Sequence, residues 1–349
     1  MELFNLGKVP WVDSQLIYHA LGELGREALS LVSPASPYVC VGFHQDASRE
    51  VDLDFCRERG IPVFRREVGG GAVFLDGDQL FFHLILRKDN PLASLRLEKF
   101  YRKYLQPVIA VYRRLGIQAE YKPVNDVVVG GRKISGAGAG EIGDCVVFVG
   151  NLILDFDYET MSRVLKIPDE KFRDKVKKTI EENLTTIRRE LGAEKAAPWD
   201  EKTLNQMMVE EFGRIVGPLY PAMIDPELSA RMKELEREMT RESRLFRRGR
   251  TTPGRVVKVR AGLEVHQRIH KAVGGLIRAE FKVDDGVWRD LSITGDFFSH
   301  PRDAVYRLEE FLEGKPAKDV AAGLDEFFSR GGFEAPGVTR DDWLAVLKI

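Results

Sequence analysis

Apolar positions along the first 160 residues recur with two periods. Leu16, Ile17, Ala20, Leu21 and Leu24 fall at helical spacing behind Asp13 and Ser14, either of which can cap a helix start. Pro37–Gly42 and Ile61–Arg66 read as strands, with a short helix over 50–59 between them that Gly60 ends. Gly69-Gly70-Gly71 interrupts regular structure. Ala72–Leu75 and Gln79–Leu86 then flank Asp76-Gly77-Asp78, a hairpin signal. One long amphipathic helix is expected over 93–115, with Leu97, Tyr101, Leu105, Ile109 and Tyr112 along one side. A second hairpin turns at Gly130-Gly131 between Val124–Val129 and Arg132–Ser135. Gly136, Gly138 and Gly140 are expected in a loop, and Val146–Phe156 is the most apolar strand.

Residues 158–245 are helical by pattern and rich in Glu/Lys pairs, the mark of solvated faces. Around Thr240–Arg255 the chain turns basic and Pro/Gly-bearing, a domain boundary. Strands then restart at Val256–Val259, Leu276–Val283 and Val287–Thr294, followed by helices near 301–313 and 316–329. The expected architecture is an α/β domain over 1–245, a mixed sheet flanked by helices, and a smaller α+β accessory domain over 246–349.

Composition narrows the function. With 349 residues, 44% hydrophobic and 31% charged, the chain can bury a sizeable core and is not disordered. Fifty-three basic residues against 54 acidic ones leave a net charge of −1, which disfavours a nucleic-acid partner. No run approaches the roughly 18 apolar residues of a membrane span. The start, MELFNLGKVPWVDSQ, lacks the basic and apolar regions of a secretory signal. Cys40, Cys56 and Cys145, without a CxxC, fit a reducing, cytoplasmic setting.

Two segments carry chemistry. In Arg65–Phe74, three glycines strip the backbone of side chains so that a ligand can lie against its N–H groups, and Arg66 can fork onto a phosphate or carboxylate. A tight turn with a surface arginine is the plainer reading. In Lys122–Gly136, Asn125 and Asp126 open one strand and Lys133 lies on the return strand, with Val128 and Val129 roughly opposite Arg132 and Lys133. An ammonium near a Gly-lined pocket can stabilise charge on a carboxylate or phosphate under attack, and Asp126 can hold Mg²⁺ beside a triphosphate. A solvated hairpin is the alternative.

Together these segments resemble the lipoate–protein ligases, within the biotin/lipoate ligase fold. The family's RR-x-x-GGG-A-V segment stands here as Arg65-Arg66-Glu67-Val68-Gly69-Gly70-Gly71-Ala72-Val73-Phe74. Its N-D strand and G-x-K-hydrophobic-x-G step follow as Asn125-Asp126 and Lys133-Ile134-Ser135-Gly136. Gly150–Leu154 is similar to its G-T-L-L-L strand, Ile167–Lys171 to its P-x-E-K segment, and Gly295-Asp296-Phe297-Phe298 to an element of the accessory domain. The resemblance implies activation of lipoate by MgATP to lipoyl-AMP, then transfer to a lysine of an acceptor lipoyl domain. That acceptor is an E2 subunit, a glycine-cleavage H protein or another lipoate-binding protein. It implies that Lys133 bridges acyl carbonyl and phosphate. It also implies that Arg66, Asn125 and the Gly71, Ala72, Val73 and Phe74 backbone hold the nucleotide. Gly69 and Gly70 then let the acyl chain pass, and Asp126 contacts metal or nucleotide. The chain departs from the family at Leu75, at Phe148-Val149 where paired histidines are usual, and at Gly140 where an arginine is usual.

Two other readings compete. An ATP-independent octanoyl or lipoyl transferase of this fold needs a cysteine before the Lys133 step, and Gln118–Asn125 has none. A non-catalytic lipoate or lipoyl-protein binder would keep the fold without the chemistry. A biotin ligase is disfavoured because Gly69–Gly71 lacks alternating arginines. His266 and His270 lie too far apart on a strand to share a metal, and the GAGAG run at 136–140 opens no helix for a dinucleotide. Arg241–Arg255 reads as a solvated linker.

Overall fold

The stretch Gln79–Arg87 shows how the core is organised. Leu80, Phe82, Leu84 and Leu86 pack on one side with Phe100, Tyr104, Tyr112 and Phe212, while Phe81 and Ile85 face Leu16, Ile17, Leu21 and Leu228 on the other. Helices cover both faces of the strand, so its sequence is a nearly continuous apolar run. Each fully buried leucine or phenylalanine contributes about 1.5–3 kcal/mol.

The computed structural model describes residues 1–93, 96–167, 170–247, 257–260 and 262–349. Pro168 and Asp169 of the P-x-E-K-like segment lie outside the described residues, as do 248–256 of the basic boundary, including Val256 of an expected strand.

The strands are, in chain order, β1 (Glu2–Val9), β2 (Ala28–Pro34), β3 (Tyr38–Val41), β4 (Val63–Arg65), β5 (Val73–Leu75), β6 (Gln79–Arg87), β7 (Glu120–Lys122), β8 (Asp126–Val129), β9 (Arg132–Ile142), β10 (Cys145–Ile153), β11 (Tyr220–Pro221), β12 (Val257–Arg260), β13 (Leu263–Ala272), β14 (Gly275–Asp284) and β15 (Val287–Gly295). Eight form a mixed sheet in the order β11-β1-β2-β6-β10-β9-β8-β7; β3, β4 and β5 form a small second sheet, and β12–β15 a third. In the large sheet β1 runs parallel to β2 and β11, and the other neighbours are antiparallel. This is the mixed sheet flanked by helices, with an additional smaller C-terminal domain, that the sequence patterns imply.

Three local expectations change. The single helix over 93–115 is two, Leu97–Tyr104 and Gln106–Arg114. Pro107 has no N–H to donate back to the preceding turn, so the second helix restarts with the proline in its first turn. Gly136, Gly138 and Gly140 are not a loop but the middle of β9. Gly and Ala alternate there with the period of a strand, Ala137 and Ala139 entering the core while the glycines face the opposite side. Asp76-Gly77-Asp78 is not a hairpin turn either, because β5 and β6 belong to different sheets. The strand β1 and a third accessory helix, Arg340–Leu347, held by a Thr339–Asp342 capping box, are additions.

The last helix of the first domain, Glu242–Leu245, precedes the third sheet at Val257. His266 stacks on Phe281 and His270 bonds Asp342, so both are structural. The two domains meet through the ion pairs Arg49–Glu280 and Arg278–Glu50 and through a buried carboxylate, Glu67, which Arg244, Arg247 and Arg302 surround. The described part of the basic boundary is therefore docked rather than merely solvated. Among the described residues no helix is long and apolar enough to cross a membrane.

Candidate active site

Alternation along three adjacent strands makes a floor. On the face of the sheet turned towards the helix Asp13–Glu23, β6 supplies Gln79, Phe81 and His83, β10 supplies Val149, Asn151 and Ile153, and β9 supplies Gly136 and Gly138. The loop from Arg66 to Leu75 forms one wall, and together they enclose a cavity of about 470 Å³. Arg66, Gly69, Gly70, Gly71, Val73, Phe74, Asn125, Asp126 and Lys133 all line it. The two sequence segments thus face each other across one hollow, whereas Ala72 does not line it and packs instead against Val39, Val41 and Phe74.

Lys133 stands directly opposite Val128 in the β8–β9 pair. Its Nζ is 2.6 Å from Asp126 Oδ1, an ion pair only part-exposed on either side. A side chain at Gly136 would lie 2.8 Å from Lys133 Cε and Nζ, so the glycine three residues on is what lets the lysine fold over β9. Asn151 accepts from Gly136 N–H at 3.2 Å and donates to Gln79 Oε1 at 2.9 Å, fixing this end of the floor. Asn125 donates to Ala137 O and accepts from Ala137 N–H, tying the start of β8 to β9.

Arg66 spends its guanidinium mostly on the protein. It donates to Gly69 O at 2.8 Å, Gly71 O at 2.9 Å and Cys40 O at 3.2 Å, so it shapes the glycine loop from within. Neighbouring Arg65 is wholly buried and bonds the carbonyls of Gly42, Phe43 and Leu245. The glycines have unequal reasons to be glycine. A Cβ on Gly69 would meet Phe297 O at 2.7 Å, and Gly70, at φ +93°, would meet Phe298 Cζ at 2.9 Å. What passes close to these two is the accessory domain. A Cβ on Gly71 would meet only Asp296 Cβ, at 3.8 Å, so its backbone is open to the cavity.

Several lining residues were not assigned to the site from sequence: Gln15, Tyr18 and Cys40, Phe156, Met161 and Ile180, and Lys271, Asp296 and Phe298 from the accessory domain. His83 is the most distinctive. It is 2% exposed, and burial pushes its imidazole down to about 3, so it is neutral. It sits directly across from Val149, one of the positions where the resemblance leads one to expect histidine, so an imidazole reaches this spot from the next strand. Strand alternation puts this histidine on the face of Phe81 and Gln79, but nothing in the sequence says that this face is the cavity's. Gly140 faces Val68 and the Glu67 carbonyl, which occupy the space above it. Burial raises the thiols of all three cysteines, Cys56 and Cys145 to about 11, and only Cys40 reaches the cavity wall. Among the described residues no group of three or more His, Cys, Asp or Glu side chains could hold a metal ion.

The family model for the lipoyl protein ligase A/B catalytic domain matches residues 12–213. Lipoate-protein ligase A subunit 1 of Thermoplasma acidophilum is 32% identical over 159 residues, 43% of this chain and 59% of that protein's length. Lipoate-protein ligase LplJ of Bacillus subtilis is 26% identical over 318 residues, 89% of this chain and 88% of its own. Octanoyltransferase LipM of Kyrpidia tusciae is 25% identical over 250 residues, 65% of this chain and 88% of its own. Among solved structures, the Thermoplasma acidophilum bipartite lipoate protein ligase, studied with its E2 lipoyl domain, superposes with a TM-score of 0.63 at 23% identity, covering 72% of this chain and 98% of that one. Lipoate-protein ligase A bound with ATP gives 0.58 at 20%, covering 70% and 98%. Plasmodium falciparum LipL1 in complex with lipoate gives 0.68 at 15%, covering 93% and 94%. At these identities the structural likenesses establish the fold.

Proposed function

The chain belongs to the lipoyl protein ligase A/B catalytic-domain family, whose members include lipoate ligases and octanoyltransferases, and we propose that it is an ATP-dependent lipoate–protein ligase. In this reading the lipoate carboxylate attacks the α-phosphorus of ATP, forming lipoyl-AMP and releasing pyrophosphate. The amine of an acceptor lysine then attacks the acyl carbonyl, and AMP leaves. Activation is needed because a free carboxylate is a poor electrophile at neutral pH.

The observation that carries the proposal is the Lys133 ammonium folded over Gly136 and held at 2.6 Å by Asp126, in the same hollow as the open backbone of Gly71. Two anions must meet there, and a preorganised cation between them lowers their repulsion and stabilises charge in both half-reactions. The N–H groups from Gly71 to Phe74 would hold phosphate oxygens. Arg66 would act chiefly by setting that backbone, and Asn125 by fixing β8 against β9. A magnesium ion accompanying the triphosphate takes most of its ligands from phosphate and water, and Asp126 would supply the protein carboxylate. The acceptor is a lipoyl domain, as in the Thermoplasma system.

The transferase alternative needs a thiolate beside the acyl carbonyl. Cys40, the cavity's cysteine, lies within 4.0 Å of Gln15 Oε1 and is fully buried with a raised pKa, which favours the ligase. The test is a mass-shift assay on an apo lipoyl domain with ATP, with and without lipoate, beside lipoate-dependent exchange of label between pyrophosphate and ATP. Lys133→Ala should lose a hundredfold or more in turnover. Modification without ATP from an acyl thioester donor, the thiol leaving, would establish the transferase, and tight lipoate binding without exchange a non-catalytic binder.

A further inference from the structure

The basic boundary after the first domain has no part in the reaction described above. From Ser243 to Leu263 the chain carries seven Arg and Lys and no Asp or Glu in 21 residues, in a protein whose net charge is −1. The first two of these cations, Arg244 and Arg247, converge with Arg302 of the accessory domain on the Glu67 carboxylate, Arg247 at 3.6 Å and the other two closer. Glu67 is 4% exposed, whereas the three arginine side chains keep 24–39% of their surface, so the carboxylate is buried while the arginines stay open to solvent. None of the four lines the catalytic cavity.

Three guanidiniums against one carboxylate leave two positive charges over. The other carboxylates whose charge reaches Arg244 and Arg302 are Glu23, Asp303 and Glu141, and these already pair with Arg231, Arg307 and Lys88. Burial, and then the charge of Arg247, holds both guanidiniums below their usual pKa, so the surplus is not relieved within the fold. Nor can the cations simply part. The carbonyls of Arg244 and Leu245 accept from the buried Arg65 guanidinium, at 3.2 Å and 2.6 Å. Arg247 lies 4.4 Å over the Phe43 ring and Arg302 5.7 Å from it. Guanidiniums held together against their own repulsion are preorganised to fork onto an oxyanion.

We propose that Arg244, Arg247 and Arg302 form an anion site at the domain junction that takes a phosphate-class dianion, inorganic phosphate or pyrophosphate, and that filling it clamps the accessory domain onto the first. A dianion matches the surplus of two charges. Convergence on one point suits a compact oxyanion rather than the extended surface of an acidic protein. Arg302 comes from one side of the junction and Arg244 and Arg247 from the other, so a single anion touches both. The proposal stands or falls independently of the ligase reading.

The test is calorimetric titration of the intact protein with inorganic phosphate and, separately, pyrophosphate, at an ionic strength fixed with chloride, beside a limited-digestion time course. Wild type should bind, and the bound anion should slow cleavage between the domains at least threefold over chloride alone. Arg247→Gln and Arg302→Gln, which remove one charged fork from each side of the junction, should each weaken binding roughly tenfold or more. Tighter binding of phosphate identifies the free ion as the ligand, and tighter binding of pyrophosphate identifies the anion that adenylate formation releases. Absence of binding by wild type, or digestion no slower than in chloride, overturns the proposal. So does unchanged affinity in either variant, which would put the anion in the catalytic cavity instead. The two variants lie in different domains, so one decides the matter if the other does not fold.

Discussion

Gly136 and Lys133 form a pair in which one residue's absence of side chain sets the other's position. A methyl at Gly136 would press on the far end of a flexible lysine rather than on backbone, so the relief is for the ammonium to swing off Asp126. Gly136 lies within β9 and has no positive φ, so alanine suits its backbone and can even add a little stability by restricting the unfolded chain. Gly136→Ala should therefore lower turnover at least tenfold while changing stability by no more than about 0.5 kcal/mol. Urea unfolding beside the exchange assay checks this, and a loss of stability matching the loss of activity would sink it. Lys133 and Gly136 were legible in the sequence because they are close neighbours on one strand with a distinctive spacing. His83 was not, because a histidine inside Gln79–Arg87 reads as part of an apolar strand. Only the β6–β10 register shows that its face is the cavity's.

At the scale of elements, the glycine loop does two jobs that the sequence could not separate. Gly71 is open to the cavity, but Gly69 and Gly70 are pressed by Phe297 and Phe298 of the accessory domain, and Gly70 N–H donates to Phe297 O at 3.3 Å. A side chain at Gly69 would meet backbone, at 2.7 Å from Phe297 O and 3.0 Å from Phe298 Cα, so relief requires the domain to move. Gly69→Ala should cost about 1–3 kcal/mol, the range for overpacking. It should also speed proteolytic cleavage between the domains. Thermal unfolding and a limited-digestion time course measure both, and an unchanged digestion rate would count against the docking argument. The triple glycine was visible as a break in regular structure, yet its partner lies more than 200 residues away, and nothing local encodes that contact. The alternation of Gly and Ala from Gly136 to Gly140 misled for a related reason: glycine usually signals a loop, but here small residues serve a strand that must pass under Val68 and Phe298.

For the whole molecule, the cavity floor sets the response to acid. His19 and His83 are buried, and burial drives both imidazoles down to about 3, with Arg244 and Arg302 lowering His19 further against its bond to Gln15 O and His19 lowering His83. In the unfolded chain both would titrate near 6.5. From these two groups the unfolded state binds up to two more protons than the folded one between those values, opposed below about 6 by Asp76, whose carboxyl burial raises to about 6. Stability is thus fully present above about pH 6.5 and drains away as pH falls towards 3, by about 1.4 kcal/mol per pH unit for each histidine. Glu141 acts lower down. His300 of the accessory domain, 3.0 Å away, holds its carboxyl down to about 2, with Lys88 adding to the effect. Its contribution, about 1–2 kcal/mol after screening by solvent, is present above about 4.5 and lost as pH falls from there towards 2. The two windows can be separated. His83→Gln should lower the slope of unfolding free energy against pH between 6.5 and 4.5 by about 1.4 kcal/mol per unit, whereas Glu141→Gln should lower the curve evenly above 4.5 and change its slope only below. Urea unfolding at half-unit steps of pH reads both slopes. If His83→Gln leaves the upper slope as steep as wild type, the imidazole is not held neutral in the folded protein.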